Sequence, residues 1–97
     1  MGFAGGCRTS GVLTASAVVT KGRALLVSVH ACEVGGTTPV TIKIYDGTSS
    51  SGKEIARLNI AAGQTIEFDM HGVICDNGIY FEEVAAGGDS AVSIEFA

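Results

Sequence analysis

Thr41-Ile42-Lys43-Ile44-Tyr45, then Asp46-Gly47-Thr48-Ser49-Ser50-Ser51-Gly52, then residues 54–60 form a unit of strand, glycine turn and strand. The pattern continues across residues 40–84. Ala61-Ala62-Gly63-Gln64 leads into Thr65-Ile66-Glu67-Phe68-Asp69, and the turn signal Asp76-Asn77-Gly78 delivers Ile79-Tyr80-Phe81-Glu82. Val40, Ile42 and Ile44 alternate with Thr41, Lys43 and Tyr45, a period of two with β-branched residues on one side. That period places successive side chains on opposite faces of a half-buried strand. The loop after Asp46 is too long for a two-residue hairpin, and its serines can hydrogen-bond their own backbone. Ala56, Leu58 and Ile60 are expected inward, opposite Ile55, Arg57 and Asn59. Ile66, Phe68 and Met70 are expected inward, opposite Thr65, Glu67 and Asp69.

Outward from this centre the same reading holds. Ala86-Gly87-Gly88-Asp89 separates it from a closing strand in which Val92, Ile94 and Phe96 share a face. On the other side, residues 12–19 alternate as one strand and Lys21-Gly22-Arg23 turns the chain into the apolar residues 24–34. There Leu25, Val27, Val29 and Ala31 are expected on one face, and Leu26, Ser28, His30 and Cys32 on the other. The mixed composition of the second face suggests burial under another subunit. About seven to eight short strands with regular turns predict an all-β protein, an antiparallel β-sandwich of jelly-roll or immunoglobulin-like type. Residues 1–10 are read as a flexible glycine-rich arm, with Phe3 as an apolar anchor, and residues 11–97 as one β-sandwich domain.

Composition narrows the function. The 97 residues suffice for one modest core, and 14 glycines beside a single proline fit many tight turns. The formal net charge is −4. The basic residues Arg8, Lys21, Arg23, Lys43, Lys53 and Arg57 stand in separate segments, so no basic face for nucleic acid is visible. No apolar run approaches the ~20 residues of a transmembrane helix, and no signal-peptide pattern opens the chain. Cys7, Cys32 and Cys75 are too few for a disulfide framework and read as free thiols.

Reactive constellations are sparse. His30-Ala31-Cys32 places two potential ligands on one strand face, and His71 precedes Cys75 by four residues. This is not the spacing of a zinc module, so half-buried structural roles are expected and no cofactor or metal is assigned. Asp46-Gly47-Thr48-Ser49 falls short of a calcium loop and reads as turn chemistry. Cys32 or Cys75 with His30 or His71 is the only nucleophile–base pairing in view. Without a glycine elbow or oxyanion loop beside it, the chain reads as non-enzymatic. Lys43, Arg57, Glu67 and Asp69 are candidates for cross-strand ion pairs.

Three motifs together resemble the small β-sandwich virion structural proteins of tailed bacteriophages. They are Ser10-Gly11-Val12-Leu13 followed by Lys21-Gly22-Arg23-Ala24-Leu25-Leu26-Val27, the strand and loop Ile44-Tyr45-Asp46-Gly47-Thr48-Ser49-Ser50-Ser51-Gly52, and Gly72-Val73-Ile74-Cys75-Asp76-Asn77-Gly78-Ile79-Tyr80-Phe81. The resemblance spans residues 10–97 and consists of strand punctuation. It implies a capsid decoration or cement subunit, or a head-fibre, neck or tail component, with no catalytic residues to transfer. It further implies partners among the major capsid protein or other virion proteins and copies of itself, as a homotrimer, in a virion assembled in the host cytoplasm. Phe3, Leu26, His30 and Cys32 are the expected interface residues. A carbohydrate-binding module for host adhesion is the alternative, for which Tyr45 and Tyr80 are the candidate aromatic platform in a chain without tryptophan.

Overall fold

The computed structural model describes residues 6–84 and 89–97. Its strands, in chain order, are β1 (Arg8–Leu13), β2 (Ala17–Lys21), β3 (Ala24–Glu33), β4 (Val40–Asp46), β5 (Lys53–Ile60), β6 (Thr65–Cys75), β7 (Gly78–Val84) and β8 (Ser90–Phe96). There is no helix among the described residues.

The pairing is nested. β4 pairs with β5, β3 with β6, β2 with β7 and β1 with β8, all antiparallel. The chain is therefore one long hairpin whose tip is the loop between β4 and β5. Further pairings of β3 with β8 and β4 with β7 roll that hairpin up. The product is two four-stranded sheets, β1-β8-β3-β6 and β2-β7-β4-β5. This is the antiparallel β-sandwich expected, and its double-sheet jelly-roll order decides between the two types considered.

Alternation accounts for the core. Leu26, Val29, Ile42, Ile44, Ile60, Ile79, Phe81 and Ile94 are fully buried between the sheets. Burying each such side chain contributes roughly 1.5–3 kcal/mol relative to leaving it exposed. The principal extents, 39 × 29 × 17 Å, leave the short axis for two packed layers.

Expectations built on strict alternation are corrected where the strands depart from it. Residues 12–19 are not one strand: β1 and β2 lie in different sheets, and the chain crosses between them at residues 14–16, where the Ser16 hydroxyl accepts the Glu83 N–H at 2.9 Å. β1 also begins at Arg8, inside the segment read as an arm. In β3 the register shifts between Leu26 and Ser28 against both neighbouring strands, a bulge at Val27. The bulge reverses the parity, so Leu26 joins Val29 and Ala31 in the core while Ser28, His30 and Cys32 face outward. A second bulge lies at Ile55 of β5, while the β4–β7 register runs unbroken, so Tyr45 keeps the parity of Thr41 and Lys43 and is buried on the outer face by Tyr80 and Glu82. Finally, Phe68 is 43% exposed although Ile66 and Met70 pack on the core, because β6 is an edge strand.

Candidate functional site

The outer face of the β1-β8-β3-β6 sheet carries a group of hydrogen-bonded polar side chains around His30. His30 on β3 stands in register with Glu67 on β6 and Ser93 on β8. Its Nδ1 lies 2.8 Å from Glu67 Oε2 and its Nε2 lies 2.9 Å from Glu95 Oε1. A doubly protonated ring donates to both carboxylates, whereas a neutral ring donates to one. Ser28, brought to this face by the bulge, donates its hydroxyl to the same Glu95 oxygen. Those two hydrogen bonds, the serine's first, hold the Glu95 carboxyl below its ordinary value. The group borders an open cleft of about 540 Å³ that also touches Cys7, Val27 and Asp69.

Chemically this is a histidine bridging two carboxylates. Ser28 and His30 both donate to Glu95 and do not bond each other, so the hydroxyl faces the Glu95 carboxylate rather than the imidazole. Cys32 shares the outward face with His30 and is half-buried, its Sγ 3.5 Å from the Glu33 carbonyl. His71 sits exposed on the β6 bulge beside Asp69, while Cys75 is fully buried, its thiol pushed up to about 11 chiefly by burial. Among the described residues no group of three or more His, Cys, Asp or Glu side chains is placed to hold a metal ion.

Of the expected interface residues, the structure leaves His30 and Cys32 on one outward face and removes Leu26 to the core. Phe3 lies outside the described residues. The proposed sugar platform does not form as an exposed pair. Tyr45 is 6% exposed, its ring is tilted against Tyr80 at 6.1 Å, and its hydroxyl donates to Glu82 at 2.8 Å. That bond, with burial, raises the Tyr45 hydroxyl to about 12. Of the candidate ion pairs, Arg57 closes on Glu54 of its own strand, with Nε–Oε2 at 2.6 Å and Nη2–Oε1 at 2.8 Å.

Glu33 was not singled out in the sequence and organises a whole end of the molecule. Only 1% exposed, it accepts N–H bonds from Gly35 at 2.8 Å, Gly36 at 2.7 Å, Gly63 at 2.8 Å and Asp89 at 3.3 Å. One carboxylate thus ties the β3–β4, β5–β6 and β7–β8 turns together. The N–H groups of Gly63 and Gly36 do most to hold its carboxyl below the ordinary value, against burial, which acts the other way. A signal existed: Glu33 has the parity of Val29 and Ala31 and precedes Gly35-Gly36.

The fold and this face define the class as an eight-stranded jelly-roll with a charged outer sheet. Compared with family models, curated proteins and solved structures, the chain has no match.

Proposed function

We propose that this chain is a non-enzymatic structural subunit of a phage virion, a capsid decoration or cement protein that stabilises the head through repeated contacts with the major capsid protein. The observation that carries the reading is the nested strand pairing, since the double-sheet jelly roll is an architecture of viral shells. The warrant is a fold-level analogy, joined to the motif resemblance described above. Many equivalent weak contacts would sum to a large stabilisation through effective concentration. His30 and Cys32, outward on the first sheet, remain the interface residues of this reading. The buried Tyr45 gives no support to the carbohydrate-binding alternative.

The test is mass spectrometry of virions purified by density gradient from the virus that carries the gene. Peptides of this chain at a copy number comparable to the capsid protein are expected. Peptides confined to the infected-cell lysate would sink the reading, and peptides at a few copies per particle would move it to the neck or tail.

A further inference from the structure

The six basic residues look scattered in the sequence, yet the fold gathers half of them. Arg8 on β1, Lys21 at the end of β2 and Arg23 in the turn before β3 line one cleft of about 330 Å³, and all three are exposed; Asp76 stands 3.9 Å from Arg23 Nε and offsets one of the three charges. Arg8 belongs to one edge strand of the β1-β8-β3-β6 sheet, and the opposite edge, β6, carries exposed Glu67 and Asp69. Three inter-strand steps separate these edges, about 14 Å at ~4.8 Å per step. A molecule of net charge −4 thus has a cationic corner beside one margin of a sheet and carboxylates along the other.

Both margins also expose apolar side chains, Val12 (71%) on β1 and Phe68 (43%) and Ile74 (52%) on β6. We propose that copies of this chain dock edge to edge, the corner of Arg8, Lys21 and Arg23 on one copy meeting Glu67 and Asp69 on the β6 edge of the next. Charge complementarity selects the second copy and its orientation. Pairing β6 with β6 brings no Lys or Arg to the carboxylates, and pairing β1 with β1 brings no carboxylate to the cationic corner. The bulge after Met70, where His71 has φ 57° and Gly72 φ 79°, breaks regular strand pairing along β6 with any partner, so the contact is one of side chains. A contact between two different edges is heterologous, so it closes into a ring or extends as an open array. This deepens the reading of a repeating subunit, and its test is made in solution, apart from the particle.

Sedimentation velocity of the full chain at about 0.02 M and about 0.5 M salt reads the contact, since screening acts on exposed charges. The weight-average mass is expected to rise about two-fold or more with concentration at low salt and to fall to the monomer at high salt. The variants R8E/R23E and E67K/D69K should each stay monomeric, and their equimolar mixture should regain the mass. Circular dichroism confirms that each is folded. Asp69 accepts the His71 N–H at 2.9 Å, so E67K alone replaces the second variant if the double change unfolds it. A monomer under every condition, reversal variants that associate as the parent does, or a mixture that stays monomeric would each overturn the proposal.

Discussion

The two ends of the jelly roll are closed by different physics. At one end Glu33 gathers backbone N–H groups from three turns onto a single buried carboxylate. At the other, around the β4–β5 loop, closure is steric. A Cβ at Gly52 would lie 2.5 Å from the Asp46 carbonyl oxygen, and one at Gly78, where φ is +122°, would lie 2.7 Å from the Thr20 oxygen. Gly47 donates to the Gly78 carbonyl at 3.1 Å, and Asp46 Oδ1 accepts the Asn77 N–H at 2.8 Å. A charged hub depends on solution conditions. A steric fit depends on side-chain volume.

Substitutions separate the two. The largest effect is expected from Glu33→Ala, which strips the shared acceptor from all three turns; thermal unfolding should show a fall in Tm on the order of 15 °C. Next come Gly52→Ala and Gly78→Ala at the opposite end. Each forces a carbonyl to move, at a cost of about 1–3 kcal/mol in chemical denaturation. Either change leaving stability untouched would show that end to be looser than drawn.

Acid distinguishes the ends without any change of volume. The folded-state value of Glu33 is depressed below its ordinary 4.5. Its contribution is therefore complete above that value and is lost as the pH falls through the depressed one. Glu95 is depressed as well, as is Glu54 at the start of β5 through its bond from Arg57, and both add to the same trend in the parent and in Glu33→Gln alike. The Tm is expected to drop as the pH falls below the ordinary 4.5. The drop should be shallower in Glu33→Gln and unchanged in slope in Gly52→Ala. A Glu33→Gln profile parallel to the parent's would remove Glu33 as the acid-sensitive group. The smallest effect belongs to Asp46→Ala, which removes one acceptor at an exposed turn and should cost about 0.5–1.5 kcal/mol.

The steric end was legible in the sequence and the charged end was not. Asp46-Gly47 and Asp76-Asn77-Gly78 announce turns by composition, and both fall where expected. Strand positions were equally legible wherever alternation ran unbroken, as at Val40, Ile42 and Ile44. The reversed faces of β3 have a plain cause. A bulge adds a residue without altering composition, so nothing in Leu26-Val27-Ser28 shows that Leu26 turns inward and Ser28 outward. The crossing at residues 14–16 was hidden in the same way, since Thr14, Ala15 and Ser16 suit a strand as well as a corner. The Glu33 hub and the network at His30 need partners thirty or more positions away, a relation only the rolled hairpin creates.

The nested pairing also sets how the chain can fold. Arg8 lies opposite Phe96, so the last ladder to form encloses nearly the whole polypeptide. Contacts of such long range place the protein among slow folders, on a millisecond-to-second scale rather than microseconds. The β4–β5 hairpin can form early from local sequence, but β3 has no partner on its β8 side until that strand has been synthesised. A nascent chain would expose the paired face of β3 until then, which makes synthesis, rather than the finished fold, the interval of greatest aggregation risk.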